Sequence, residues 1–156
     1  MAPATSQLRL TLTPQGLRHY GPGGPHPATA GSAGMDLRAC METPAILLPG
    51  ERRAMPAGMA MELTEPGLAG FVFSRSGLGA KDGLVVAQGV GVIDPDYRGE
   101  IVVFLLNTSQ EQRTVSPGDR IAQLVVMPVR LPEIVVVDAL NETPRGGGGF
   151  GHTGTR

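Results

Sequence analysis

The chain has 156 residues, of which 41% are hydrophobic and 17% charged, and its formal net charge at pH 7 is −1. A chain of this length fits one domain, in which roughly two-thirds of the unfolded surface becomes buried. Because the net charge is close to zero, broad nonspecific binding to nucleic acid or to an anionic membrane is not expected. Any recognition of phosphate must come from a few placed groups.

The compartment is predicted from cysteine usage and from the absence of targeting features. The single cysteine, Cys40, cannot form an intramolecular disulfide, and we expect it to be a small buried residue. Residues 1–11 lack the charged start and apolar run of a signal peptide. No stretch approaches the roughly 20 apolar residues of a membrane span. These features predict a cytoplasmic protein without a membrane span.

Short apolar runs punctuated by glycine and proline recur along the chain, which is typical of an all-β domain. Helical periodicity is nearly absent, and residues 74–82 are the one candidate for a short helix. We therefore predict a sandwich, jelly roll or barrel with at most one short helix, forming one domain over residues 1–156. The predicted strands are residues 8–12, 59–63, 70–73, 84–86, 91–93, 101–106, 121–129 and 134–137.

Two segments do not fit a plain β-domain. Residues 101–106 are apolar at every position, which predicts a strand buried on both faces, with a subunit interface as one possible source of the second covering. Residues 145–154 are too rich in glycine to pack as a strand, yet they carry an aromatic ring, cations and a hydroxyl. We expect residues 143–156 to form a flexible C-terminal arm. Residues 1–30 form an N-terminal strand and loop to which the sequence assigns no role.

The segment 91–99 places a carboxylate, Asp94, directly after an apolar run and an aromatic residue, Tyr97, three positions later. Since Asp94 precedes Pro95, its backbone is held extended. A carboxylate fixed at a strand end can orient a water molecule as a general base. The alternative interpretation is a plain turn in which Asp94 and Asp96 bond to the backbone.

Three further segments carry groups suited to phosphate or to a cation. Residues 74–79 combine Arg75 and Ser76 with backbone N–H groups at a possible helix start, which suits phosphate, or they form a surface turn with a helix cap. Residues 118–124 form a turn entering a strand that contains Gln123, or simply hold a local Asp–Arg ion pair. Asp36 lies in a strand pattern, either exposed on the outer face or directed at a cation.

The C-terminal tail is the fifth segment. A glycine hinge would let Phe150 fold over a planar base while Arg145 and Thr153 meet phosphates. The alternative is a disordered chain end.

Together and in this order, the five segments resemble the five motifs of trimeric dUTP pyrophosphatases (dUTPases), with a match from Ala33 to Gly154. The resemblance implies a distorted β jelly roll of the dUTPase-like β-clip type, assembled as a homotrimer. It also implies hydrolysis of dUTP to dUMP and pyrophosphate with Mg²⁺, in active sites to which all three subunits contribute. This activity would keep uracil out of DNA and supply dUMP.

Residue roles follow from the same resemblance. Asp94 would activate water for in-line attack on the α-phosphorus, and Tyr97 would pack on the deoxyribose and exclude a 2′-hydroxyl. Asp36 would act on Mg²⁺ through its water shell. Backbone groups of a hairpin over residues 83–93 would distinguish uracil from cytosine and thymine. The further residues implied to bind substrate are Arg75, Ser76, Gly77, Gln88, Gly91, Val92, Ile93, Gln123, Arg145, Phe150, Gly151, His152 and Thr153.

The sequence departs from the family pattern at two of these positions. Gln88 stands where some bacterial members have asparagine, so its contribution to base recognition is open. His152 stands where many members have serine, and an imidazole can still donate to a phosphate.

Three other functions fit the sequence less well. A dCTP deaminase has the same fold but needs a glutamate in the strand after the Asp motif, where this chain has Phe104. An idle nucleotide-binding protein on this scaffold would be expected to lose its base or its tail. A metal-site protein is disfavoured because His19, His26 and His152 lack ligand spacing, and we expect the first two to be solvated.

Overall fold

The computed structural model describes residues 7–149. Within this range the chain forms strands joined by short loops, together with two short helices. The strands are β1 Leu8–Leu12, β2 Met35–Arg38, β3 Ala45–Leu47, β4 Arg52–Pro56, β5 Met59–Leu63, β6 Leu68–Ser74, β7 Leu84–Val86, β8 Val90–Ile93, β9 Val102–Asn107, β10 Arg113–Val115 and β11 Arg120–Pro128. The helices are α1 Pro14–Tyr20 and α2 Ser76–Asp82.

The strands pair in four small antiparallel sheets. The largest has the order β2-β11-β6-β8, and a three-stranded sheet has the order β4-β9-β7. Two further pairs join β1 with β5 and β10 with β3. Sheets this small cannot bury their faces alone, so they pack around one shared core. The largest completely buried side chains of that core include Leu37, Leu47, Met55, Met59, Ile101, Leu105, Ile121 and Leu124.

Most strand predictions are confirmed within one or two residues. Strand β1 and strand β5 have the predicted bounds, and the predicted helix is α2. The short strands β2, β3, β4 and β10 extend the predicted set. The strand predicted at residues 134–137 is wrong, because that segment has no strand partner within the described chain and its apolar side chains are exposed.

Helix α1 makes two helices where the sequence predicted at most one. Its start is marked by Thr13, whose side-chain oxygen accepts a hydrogen bond from the Gly16 N–H at 3.1 Å, and by Pro14 at the first helical position. Gly21, at φ 75°, ends it. Gly16 is buried against the backbone of Gly58, where a Cβ would overlap the Gly58 carbonyl. The helix is too short to show an apolar period, so only its caps could have revealed it.

Strand β9 is buried on one face only. Its inward residues Val103 and Leu105 are 2% and 0% exposed, whereas Val102 and Phe104 on the other face are 43% and 48% exposed. The expectation of two buried faces is therefore not met by a single chain.

Cys40 is 4% exposed, as expected, and lies in a small polar cluster beneath α1. Tyr20 donates its hydroxyl to the Ala57 carbonyl at 3.0 Å and accepts the Arg38 N–H at 2.7 Å. Burial raises the pKa of the Cys40 thiol to about 11 and also raises the pKa of Tyr20. Both groups are therefore neutral at physiological pH.

Asn107 is the one buried polar side chain in the described core, and all its hydrogen-bonding capacity is used. Its Nδ2 donates to the Leu47 and Glu111 carbonyls at 3.0 and 2.7 Å. Its Oδ1 accepts from the backbone N–H and the hydroxyl of Ser109 at 3.0 and 2.8 Å. One side chain thus joins β3, the end of β9 and the following turn.

We expect Asn107→Ala to lower the free energy of unfolding by about 2–4 kcal/mol, because it leaves buried carbonyls without a donor and creates a small cavity. Urea denaturation measures the change. Asn141→Ala, at an exposed position, is the control and should change little. Equal effects of the two substitutions would contradict the structural role of Asn107.

Candidate active site

The polar side chains singled out in the sequence gather in two clefts. The first, the Arg75 cleft, has a volume of about 360 Å³ and is lined by Asp36, Arg75, Ser76, Gly77 and Gln123, among others. The second, the Asp94 cleft, has a volume of about 290 Å³. The predicted site residues that line the Asp94 cleft are Gln88, Gly91, Val92, Ile93, Asp94 and Tyr97.

Asp36 organises the Arg75 cleft by binding two arginines. One carboxylate oxygen accepts from Arg75 Nε at 2.8 Å and the other from Arg120 Nη1 at 3.1 Å. The Asp36 and Arg75 side chains are only 24% and 26% exposed, so this pair is more favourable than a fully exposed one. A local Asp119–Arg120 pair, one interpretation of the sequence, is not formed, because the Asp119 carboxylate accepts the Ser116 N–H at 2.7 Å.

Arg75 stands between β6 and α2. Its backbone is extended, with φ −80° and ψ 133°, and its carbonyl accepts the first helical hydrogen bond, from Gly79 N at 2.8 Å. Ser76 and Gly77 follow in the first turn, where backbone N–H groups have no partner within the helix. The cleft therefore presents a guanidinium, a hydroxyl and free backbone donors together, a set suited to phosphate oxygens.

Gln123 lies opposite Asp36 in the pairing of β11 with β2. Its Nε2 donates to the Ser74 carbonyl at 3.1 Å, which ties β11 to the end of β6 beside Arg75. A Cβ at Gly34 would come within 3.3 Å of Gln123 Oε1, so Gly34 leaves room for this side chain. The side chain is thus held at the floor of the cleft.

Asp94 directly follows β8 and is exposed at the rim of its cleft. Its carbonyl accepts the Tyr97 N–H at 3.1 Å, which closes a turn over residues 94–97. Its carboxylate has no hydrogen-bond or ion-pair partner among residues 7–149. The turn predicted as the alternative is present, but the Asp94 carboxylate does not bond to it and remains available to a ligand or to water.

Tyr97 lies across the same cleft. Its hydroxyl donates to the Glu100 carbonyl at 3.0 Å, and the side chain is 44% exposed. The ring lies so close to Gly99 that a Cβ there would overlap it. Gly99 and the Glu100 carbonyl therefore fix the position of the ring in the lining of the cleft.

The predicted hairpin over residues 83–93 is only partly formed. A turn is present, with Gly89 N donating to the Val86 carbonyl at 3.0 Å. However, β7 pairs with β9 while β8 pairs with β6, so the two arms enter different sheets. The Asp94 cleft opens between the splayed arms, and the exposed Gln88 lies at their tip.

The two clefts lie at opposite ends of one strand pair. Ile93, just before Asp94, is paired with Gly70 of β6, whereas Arg75 follows the other end of β6. The step from residue 70 to residue 75 corresponds to about 17 Å at about 3.4 Å per residue. The clefts share no lining residue. One chain therefore does not bring Asp94 to the ligands of the Arg75 cleft.

The remaining predicted residues lie elsewhere. Arg145 is exposed, donates to the Gly148 carbonyl at 3.0 Å and lines neither cleft. Phe150, Gly151, His152 and Thr153 lie outside the described residues.

Histidines 19 and 26 line a third cavity, of about 150 Å³, beside Asp36. His26 is exposed as expected, but His19 is partly buried with its Nε2 unpartnered among residues 7–149. Solvation of His19 is therefore not observed. The cause is its packing beside Gly118, where a Cβ would come within 2.8 Å of His19 Nδ1.

Arg98 was missed in the sequence analysis. Its guanidinium donates to the carbonyls of Pro95 and Tyr97 and to the carboxylate of Glu62. The sequence carries no signal for this contact, because Glu62 is distant along the chain.

The family model and the curated relatives that match this chain all belong to one family. The family model described as dUTPase matches residues 24–154. A deoxyuridine 5′-triphosphate nucleotidohydrolase of Hahella chejuensis is 50% identical over 129 residues, which cover 83% of this chain and 85% of that protein. One from Xanthomonas euvesicatoria is 44% identical and covers 100% of both chains.

A solved structure of the same family is similar to this chain in fold. The Staphylococcus bacteriophage 80alpha dUTPase with dUPNHPP is 25% identical, with a TM-score of 0.77, over 95% of this chain and 98% of that one. Fold and comparisons together define an all-β nucleotide hydrolase. The chain belongs to the dUTPase family. The fold class predicted from sequence is thereby confirmed.

We expect Gly99→Ala to lower kcat/KM for dUTP about tenfold or more, because the added methyl displaces the Tyr97 ring. The melting temperature should change little, since the loop is exposed. Steady-state kinetics and thermal melting measure the two effects. Gly23→Ala, which meets nothing within 4 Å, is the control. Wild-type kinetics for Gly99→Ala would show that the ring position is unimportant.

Proposed function

We propose that this chain hydrolyses dUTP to dUMP and pyrophosphate by in-line attack of a water molecule that Asp94 activates, with Mg²⁺ on the phosphates. Family membership over residues 24–154 supports the dUTP diphosphatase activity. The observation that carries the mechanism is the carboxylate of Asp94, which has no partner among residues 7–149 and lies at the rim of a cleft that Tyr97 also lines. Keeping uracil out of DNA and supplying dUMP are the proposed cellular roles.

Asp94 is suited to be the general base. The rigid end of β8 and the turn to Tyr97 fix its backbone, and its carboxylate is open to water. A base must lie within hydrogen-bond reach of the proton that it abstracts. In this proposal, Asp94 accepts a proton from water as the water oxygen bonds to the α-phosphorus and the bond to the bridging oxygen of pyrophosphate breaks.

The Asp94 cleft is proposed to hold the nucleoside. Its wall is mostly apolar, formed by Val86, Val92, Ile101 and neighbouring residues, and suits a planar base. Backbone groups of Gly91, Val92 and Ile93 would recognise uracil, and Gln88 at the tip of the turn would approach the base edge. The face of Tyr97 would pack on the deoxyribose and leave no room for a 2′-hydroxyl.

The Arg75 cleft is proposed to bind the phosphates through Arg75, Ser76, Gly77 and Gln123. Phosphoryl transfer depends mainly on positioning and on neutralising charge, which this donor set supplies. The tail would complete the site, with Phe150 stacked on uracil and Arg145, Gly151, His152 and Thr153 near the β- and γ-phosphates. Residues 1–156 would act as one domain, with residues 143–156 as the arm.

The donor set fits a weakly protein-bound Mg²⁺. No group of three or more His, Cys, Asp or Glu side chains suited to a metal occurs among residues 7–149. Asp36, engaged by two arginines, would contact the ion through water, which matches the tendency of Mg²⁺ to keep its water shell. When bound, the ion would neutralise charge on the phosphate oxygens.

The proposed site needs more than one copy of the chain. Water attacks from about 3–3.5 Å, whereas Asp94, one residue beyond Ile93, lies about 20 Å along the strand pair from Arg75. A second copy that places its Asp94 cleft against the Arg75 cleft of the first would complete the site. A homotrimer with shared sites would satisfy this need, because a neighbouring copy could then lie against the Asp94 cleft, which the exposed Val102 and Phe104 of β9 help to line.

Two other activities fit less well. A dCTP deaminase needs a free glutamate from β9, but Phe104 lines the cleft there, and the nearby Glu100 accepts the Gly58 N–H at 2.8 Å. Nonspecific nucleic-acid binding has no support in the net charge of −1. No helix within residues 7–149 is long and apolar enough to cross a membrane.

We expect Asp94→Asn to lower kcat by about 10²–10⁴-fold, as for loss of a general base, while binding of dUPNHPP stays close to wild type. Pyrophosphate release and calorimetric titration measure the two quantities. Asp96→Asn, an exposed carboxylate in the same loop, is the matched control and should retain activity. Unchanged turnover for Asp94→Asn would refute the base.

The same assay, run on dUTP, dCTP, dTTP and UTP with Mg²⁺ and with a chelator, tests the substrate. Pyrophosphate release from dUTP alone, suppressed by the chelator, is the expected result. Ammonia release from dCTP would instead identify a deaminase.

We expect a mixture of Asp94→Asn and Arg75→Ala chains, refolded together, to regain activity although each variant alone is inactive. A shared site is intact where an Asp94→Asn copy supplies Arg75 and an Arg75→Ala copy supplies Asp94. Random mixing gives roughly a quarter of the wild-type rate. Each variant refolded alone is the control. No recovery in mixtures shown to be mixed oligomers would contradict sharing.

A further inference from the structure

The loop that carries Asp94 and Tyr97 buries little of its side-chain surface within residues 7–149. Residues 94–98 are all exposed in the chain. A loop in this condition keeps its shape through hydrogen bonds, and a displacement of about 1 Å at a reacting group can slow an enzyme about 100-fold. The contacts that hold this loop therefore bear on its chemistry.

Arg98 supplies most of these contacts. Its Nη1 donates to the Pro95 carbonyl at 2.7 Å and to the Tyr97 carbonyl at 3.1 Å. Its Nη2 donates to Glu62 Oε1 on β5 at 3.3 Å. The planar fork of one guanidinium thus joins two carbonyls of the loop and fastens the loop to a strand.

Glu62 is in turn held by the N-terminal strand. Arg9 and Glu62 are opposite each other in the antiparallel pair β1–β5. Arg9 Nη1 donates to Glu62 Oε2 at 3.3 Å, on the oxygen that Arg98 does not use. Strand β1 lies before the range 24–154 that matches the dUTPase family. A segment outside the matched range is therefore connected to the Asp94 loop.

The other end of the loop is fastened to the same N-terminal segment. Glu100 Oε1 accepts the Gly58 N–H at 2.8 Å, and the Gly58 carbonyl accepts the Thr13 N–H at 2.9 Å. Thr13 is the residue that caps α1. Both ends of the loop thus connect, through β5 and the residues before it, to residues 9–13.

The relative strengths of these contacts determine which of them contributes most to the shape of the loop. The Arg98 and Glu62 side chains are 53% and 40% exposed, and ion pairs this exposed contribute little by themselves. The hydrogen bonds from one charged group to two carbonyls fix the shape of the loop more strongly. Glu62 then determines where the guanidinium lies.

We propose that Arg98 is a positioning residue that holds the Asp94 loop in its reactive shape, and that Glu62, supported by β1, fixes Arg98. The proposal rests on the proposed function, because it assumes that Asp94 is the base. Arg98 would not itself contact the reacting atoms.

Steady-state kinetics of Arg98→Met test it. We expect kcat for dUTP to fall about 10–100-fold while KM stays within about twofold, because the phosphate donors in the Arg75 cleft are untouched. Arg53→Met is the matched control, since Arg53 has a similar exposure of 50%, a glutamate partner and a carbonyl acceptor on another surface. It should keep the wild-type kcat.

Two further variants separate positioning from simple charge. Arg98→Lys keeps the positive charge but cannot form the fork, so its kcat should stay close to that of Arg98→Met. Glu62→Gln should slow the enzyme in the wild-type background and have no added effect in the Arg98→Met background, as expected for coupled residues.

These experiments distinguish failure of the Arg98 proposal from failure of the proposed function. If Asp94→Asn is inactive while Arg98→Met keeps the wild-type kcat, the positioning inference is overturned and the base stands. A wild-type rate for Arg98→Lys, or a rise in KM alone, would also overturn it, since both indicate charge attraction of the substrate. If Asp94→Asn is fully active, Asp94 is not the base, and the premise of the Arg98 proposal is removed.

Discussion

The antiparallel pairing of β6 on both sides is the constraint on which the rest of the structure depends. Each residue from Gly70 to Phe73 is paired with β8 on one side and with β11 on the other. This pairing fixes Arg75 at one end of the strand and Asp94 at the other, and it brings Gln123 beside Arg75. A slip of one residue would turn Val72 out of the core and move both clefts.

The distance between the two clefts gives the proposed enzyme a property that a site formed by one chain would lack. The groups proposed to bind phosphate and the group proposed to activate water lie too far apart to act together in one chain. Under the proposed function, assembly would create the active site, so we expect an unassembled chain not to hydrolyse the nucleotide. The exposed apolar residues of β9 and of residues 131–140 provide surface that association can bury.

Sequence patterns revealed the strands that are encoded by the order of residues within the strand itself. Strands β1 and β5 alternate or carry long apolar side chains, and the predicted bounds were correct. Strands β3 and β10 have three residues each and are set by pairing with each other across the chain, which no local pattern encodes. Residues 134–137 show the opposite case, where strong β-propensity forms no strand because a partner edge is missing within the described chain.

The sequence predicts those parts of the candidate site whose chemistry comes from one residue beside a recognisable strand or helix. Asp94 after an apolar strand and Arg75 before a helix are visible in the sequence, whereas the pairing of Asp36 with two arginines depends on the register of β2 with β11. Arg98 and Glu62 meet because the fold brings the Glu62 side chain of β5 to the loop. Positioning contacts of this kind escape sequence reasoning for a physical reason, since they are made between exposed residues whose types are common on any surface. The proposed importance of these contacts comes from the loop that they position. That loop and its contacts with β5 are visible only in the folded structure.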